Sequence, residues 1–201
     1  MSIWYKIEND AIKIATKTTT RNNRVISGYN LDSNADMLAS DGYQKMTEEQ
    51  EIFYNQGLAT VVNNEIIDIT TTENYKNEQF STKKQLKLTE VGQLFESSLN
   101  NPVAINDVFV LGSWANTYSN TLTAMKDDLE ENGEVSPADI IVLNDKGLLI
   151  SITVSSVEDF LPYYRAVKND YRAKITKRNE YLISVQNASS IEELSIIEIE
   201  F

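Results

Sequence analysis

The chain has 201 residues and no cysteine or histidine, with a net charge of −12 from 18 Lys and Arg against 30 Asp and Glu. Disulfides, zinc sites built on Cys or His, Ser-His-Asp triads and imidazole acid–base chemistry are thereby excluded. An acidic chain repels phosphate backbones and anionic lipid surfaces, so nucleic acid and membrane are disfavoured as partners. At 41% hydrophobic and 24% charged residues, the composition is globular, and the length allows one large domain or two small ones. No apolar run approaches a membrane span, and the first residues, MSIWYKIENDAIKIATK, lack a signal-peptide pattern. The asparagines are scattered and form no low-complexity tract.

In chain order, Ile3–Ile7 and Ala11–Ala15 read as strands around Asn9-Asp10, a pair suited to the positive φ of a tight hairpin. A polar, turn-rich passage over 16–34 precedes a short helix, Ala35–Ser40, closed by Gly42. Thr47-Glu48-Glu49-Gln50 has the spacing of a capping box, opening a helix that should turn Ile52 and Phe53 inward and stop at Gly57. Ala59–Val62 and Glu65–Ile69 form a second hairpin around Asn63-Asn64. Residues 1–70 thus read as a small α+β docking unit, in the order β-β-α-α-β-β.

Residues 71–82, TTENYKNEQFST, carry no strong apolar period. They read as a linker or the ragged start of a helix, dividing the chain into 1–70, a linker over 71–83, and 84–201. From Lys84, the positions Leu88, Val91, Leu94, Phe95 and Leu99 share one helical face, up to Asn100-Asn101-Pro102. Two hairpins follow, Val103–Ile105 with Val108–Leu111, and Ile140–Leu143 with Leu148–Ile152. Between them lies a helix over 113–132, with Trp114, Tyr118, Leu122, Met125 and Leu129 inward and Gly133 at its end. Ser155-Ser156-Val157-Glu158 reads as a capping box for a long helix over 156–188, in which Pro162 implies a late start or a bend. The chain closes with a third capping box, Ser190–Glu193, and an alternating strand, Ile197–Phe201, expected to join a sheet. The fold class is α+β: the N-terminal unit, then a second α+β unit with two hairpins and one long helix.

The order of features over 84–201 resembles an uncharacterised domain family of tail-fibre and tail-accessory proteins of tailed bacteriophages. The resemblance is carried by a helix, the hairpin VAINDVFVL, a helix of about 20 residues, the hairpin IIVLNDKGLLISI, the SSVEDF start of the long helix, and ASSIEEL. The leader, with WYKIENDAIK and a TEEQ helix, is similar to those preceding such domains. Ile140–Leu143 stand where that pattern has a Trp, which leaves the packing face of the second hairpin open. The resemblance implies a virion protein, assembled in the host cytoplasm. It would be a non-enzymatic structural or adaptor component of the tail, fibre or baseplate, contacting other virion structural proteins and copies of itself. It carries over no catalytic residues, cofactor or metal site. A receptor- or glycan-binding tail module is the alternative.

Two charged constellations stand out. Asp127, Asp128, Glu130, Glu131 and Glu134 cluster at a helix end. They lack calcium-loop spacing and read as a solvated face. On the long helix, Arg165, Lys168, Arg172, Lys174, Lys177 and Arg178 face only Asp170 and Glu180 in that stretch, interleaved with tyrosines. Such a stripe suits phosphate contacts and stacking, a subunit contact, or pairing within the chain. A helix outrunning its sheets leaves a Tyr-rich face for a partner, which makes Tyr163, Tyr164, Arg165, Lys168, Tyr171, Arg172 and Arg178 the candidate interface.

Overall fold

A computed structural model describes residues 2–201 and has the α+β class expected from the sequence. It divides into two compact units, Met1–Gln79 and Phe80–Phe201, with the division inside one helix, Glu73–Ser98 (α3). The expected linker is therefore helical from Glu73 onward. Glu73, Lys76, Glu78, Gln79 and Lys83 are good helix formers, and Thr72 caps the start by accepting from the Tyr75 N–H.

In the first unit, β1 (Trp4–Glu8) pairs antiparallel with β2 (Ala11–Ile14), around Asn9 and Asp10 at φ 53° and 58°. Trp4 and Tyr5 are adjacent yet both buried, so they lie on opposite faces of β1 and seed two small cores. Trp4 packs with Ala15, Tyr29 and Leu38, whereas Tyr5 packs with Met46 and Ile66. The passage over 16–34 holds a hairpin absent from the sequence reading, β3 (Thr18–Arg21) with β4 (Arg24–Ser27), turning on Asn22-Asn23. Helix α1 (Ala35–Ser40) leads to a two-residue strand, β5 (Gln44–Lys45), on the free side of β1. The unit is thus β-β-β-β-α-β-α-β-β. Helix α2 (Glu48–Asn55) starts with the expected capping box, Thr47 and Gln50 bonding reciprocally. Ile52 nevertheless faces solvent, 54% exposed, because the small sheet covers only one stripe of this short helix. The unit ends in β6 (Ala59–Val62) and β7 (Glu65–Asp68).

In the second unit, β8 (Pro102–Ile105), β9 (Val108–Leu111), β10 (Ala138–Leu143) and β11 (Leu149–Val154) form one antiparallel sheet, ordered β11-β10-β9-β8. Helix α4 (Ala115–Asn132) ends at Gly133 in the left-handed conformation, φ 76°, as glycine permits. Helix α5 (Val157–Asn187) is capped by Ser156, whose hydroxyl accepts from the Asp159 N–H. The cap is thus Ser156 alone, one residue later than the N-cap of the expected Ser155–Glu158 box. Pro162 lies in the second turn and the helix continues through it.

Two cores share α5. Its first half, through Phe160 and Val167, packs with Tyr118, Leu122 and Met125 of α4 and with Val110, Ile140 and Val142 of the sheet. Its second half, through Val185, packs with Val91 of α3 and Leu194 of α6 (Ile191–Ser195). The full burial of Phe160 alone contributes about 2–3 kcal/mol. The end of the chain joins this second core without forming a strand. Ile197, Ile199 and Phe201 face it in an extended segment, and Tyr181 Oη exchanges hydrogen bonds with the Glu200 N–H and C=O, both at 3.0 Å. Leu94 and Leu129, expected inward, are 39% and 48% exposed.

Candidate interaction surface

The helix stripe singled out by sequence is largely consumed within the chain. Lys174 is buried; its ammonium lies 2.7 Å from Asp170 Oδ2 and 2.7 Å from the Ser98 carbonyl, at the end of α3. Arg178 lies over the Phe95 ring, 5.1 Å from its centroid, and Tyr171 packs against the same ring at 6.4 Å. Tyr163 and Tyr164 flank the first core. Lys168 donates to Tyr164 Oη at 2.7 Å, which holds that phenol below its usual range. Lys177 reaches the Glu200 carbonyl at 3.4 Å. Only Arg165 and Arg172 of the candidate set are exposed. The expected leftover Tyr-rich face is not free, because α3 and the extended C-terminal segment cover the half of α5 that outruns the sheet.

The acidic cluster at the end of α4 lies at the surface, Asp127 and Glu130 to Glu134 exposed, with Asp128 accepting from the Ser136 N–H. Among the described residues, no group of three or more Asp or Glu is placed to hold a metal ion. Among the same residues, no helix is long and apolar enough to cross a membrane.

A run of uncovered apolar side chains lies on the second hairpin of the second unit. Strands β10 and β11 pair without a bulge, Ile140 opposite Ile152 and Ile141 opposite Ser151. Side chains alternate across the sheet, so Ile140 and Val142 enter the core while Ile141 points out, 54% exposed. That settles the packing face left open by the sequence. At the turn, Asn144 Oδ1 accepts from the Lys146 and Leu148 N–H groups and Gly147 adopts φ 72°, turning Leu148 and Leu149 outward at 59% and 66% exposure.

Beside these residues is a cavity of about 310 Å³ between α4 and the hairpin, lined by Trp114, Tyr118, Thr121, Asp139, Ile141 and Leu149 among others. Trp114 stacks on Tyr118, centroids 6.1 Å apart and planes at 26°. Tyr118 donates to the Ile141 carbonyl at 2.7 Å, and its burial pushes the phenol well above its usual pKa. Asp139 accepts from Thr153 Oγ1 at 2.7 Å. An apolar wall with one carboxylate at its rim suits a bulky apolar side chain from a partner. A separate groove of about 600 Å³ lies in the first unit, along Val61, Val62, Ile67 and Ile69.

No protein-family model, curated protein or solved structure matches this chain.

The sequence reading missed this surface, although a signal was present. In a chain with 24% charged residues, Gly147 to Val157 carries no charge. Its apolar residues also break alternation, with Leu148, Leu149 and Ile150 consecutive. A strand with one solvated face has no use for the second set.

Proposed function

We propose that this chain is a non-enzymatic interaction protein, a structural or adaptor component of a tailed-bacteriophage particle. The observation that carries the interaction reading is the apolar surface of Ile141, Leu148 and Leu149 beside the Trp114–Tyr118 cavity. Exposed contiguous apolar area costs solubility and is otherwise avoided. The phage setting is supported by the order of features that carries the family resemblance: α3, a hairpin, α4, a hairpin with Asp in its turn, α5 and α6. The contact is assigned to the sheet rather than the long helix, because most of the stripe on α5 is already paired.

The composition of purified native particles tests the setting: the chain should occur in fixed stoichiometry with other virion proteins. Recovery only from unassembled lysate overturns it. Leu149→Asp tests the surface. Incorporation should fall at least tenfold with the melting temperature unchanged, since the side chain is exposed. Unaltered incorporation places the contact elsewhere.

A further inference from the structure

We propose that β11 is a self-pairing edge, through which two copies of this chain join their sheets about a two-fold axis centred on Ser151. The proposal rests on the interaction reading above and names the partner as a second copy.

Strand β11 ends the sheet and pairs only with β10. The direction of its free backbone groups follows from one hydrogen bond. Tyr118 donates to the Ile141 carbonyl, so that carbonyl points away from β11. Ile141 and Ser151 are opposite each other, hence a non-hydrogen-bonded pair, and the Ser151 N–H and C=O point outward. By alternation, those of Leu149 and Thr153 do the same. Leu149, Ser151 and Thr153 are all exposed, so these groups have no cover.

Sheet edges are ordinarily blunted by Lys, Pro, a bulge or a covering element. The opposite edge follows this rule: β8 begins with Pro102 and lies beside α5 at Ala173 and Lys177. β11 has none of these devices.

The second copy is the partner that fits by register and by charge. In an antiparallel two-fold pair, facing residues share a side of the sheet, so the axis must pass through a residue. Centred on Ser151, the pairing puts Leu149 opposite Thr153 of the second copy and Ser151 opposite itself. Each such pair exchanges both hydrogen bonds, using every outward group of the strand. Ile150 meets Ile152 of the second copy on the inner face, extending the apolar row that contains Ile140 and Val142. Two chains of net charge −12 repel unless they meet across neutral surface, and Gly147–Val157 is neutral throughout. The two Asp139 carboxylates, on the strands next to the seam, would lie on the order of 20 Å apart, beyond a Debye length of about 8 Å.

Sedimentation equilibrium and site-directed crosslinking of the full chain test the pairing. The wild type should be a dimer at about 0.1 mM, and Ser151→Pro should weaken association at least about tenfold. Pro removes an outward N–H that β10 does not use, so the fold should persist. Ser151→Lys reads the same seam without proline. Because the chain has no cysteine, Ser151→Cys introduces one thiol. Facing Cα atoms about 5.5 Å apart should then give a disulfide-linked dimer under mild oxidation. The exposed Asn179→Cys on α5 should not. In the wild-type dimer, the amides of Leu149, Ser151 and Thr153 should exchange slowly, and faster on dilution. A monomer at all concentrations overturns the proposal, as does a dimer indifferent to both Ser151→Pro and Ser151→Lys, or equal crosslinking at 151 and 179. If Leu149→Asp still blocks particle incorporation in such a monomer, the self-pairing fails while the interaction reading stands.

Discussion

The Asp170 carboxylate occupies the place of a side chain at Gly112: a Cβ there would lie 2.5 Å from Asp170 Oδ2. Asp170 cannot easily swing away, because Lys174 holds the same oxygen at 2.7 Å. Gly112→Ala is therefore expected to destabilise by about 1–3 kcal/mol through overpacking. Gly92, inside α3, has open space around its Cβ position, so Gly92→Ala should stabilise by roughly 1 kcal/mol. Thermal melts should move in opposite directions, by about 2–4 °C per kcal/mol.

Lys174 and Asp170 are expected to behave as a buried pair. Their side chains are 9% and 16% exposed, and Lys174 also serves the Ser98 carbonyl. Lys174→Met leaves a carboxylate and a carbonyl unanswered and should cost about 3 kcal/mol in denaturant unfolding. Adding Asp170→Asn should recover a large part of that loss. Equal costs for the single and double variants would show that the charge of Asp170 is not what the lysine balances.

The first unit should lose stability in acid through Glu8. Hydrogen bonds from Lys13 and Lys6 lower this carboxyl from the ordinary 4.5 to about 2. A depressed carboxylate contributes fully above its unfolded pKa and is lost as pH falls through the folded one. The melting temperature should therefore fall between pH 4.5 and 2, more in the wild type than in Glu8→Gln. At the alkaline end, burial followed by a 2.6 Å hydrogen bond to Asp41 raises Tyr29 to about 12. This neutral phenol contributes below pH 10, and its contribution is lost as pH rises toward 12. Tyr29→Phe should remove that limb of the profile. A profile unchanged by either variant would assign the pH dependence to other groups.

Oligonucleotide binding should be negligible at about 0.15 M salt. With Lys174 buried and Arg178 stacked on Phe95, Arg165, Arg172 and Lys177 are the exposed basic residues of the stripe, too few for tight phosphate contact in an acidic chain. Each phosphate contact would make affinity fall by about one log unit per log unit of salt. Steep salt dependence in the wild type, abolished in Arg165→Glu/Arg172→Glu, would restore the nucleic-acid reading.

Sequence alone determined the features whose physics lies within a few residues. Asn9-Asp10, Asn63-Asn64 and Asn106 turn hairpins because asparagine and aspartate tolerate positive φ. Thr47 and Ser190 start helices because their hydroxyls accept from the N–H three residues on. Asn22-Asn23 carries the same turn signal, but its strands are polar and Val25 is 72% exposed, so no apolar pattern framed it. A strand of two residues, Gln44-Lys45, exists only as the partner of β1. Alternation at Ile197, Ile199 and Phe201 showed which side would be buried, but not that helices would cover it instead of a sheet. Tertiary structure alone decided which charges are free and which edge is open. Asp170 and Lys174 are four apart on any reading of α5, yet the pair is buried because Ser98, 76 residues away, presents its carbonyl to it. Strand β11 is an edge because nothing distant in the chain reaches its outer side. Burial depends on which surfaces meet across the chain, and local backbone preference carries no record of that.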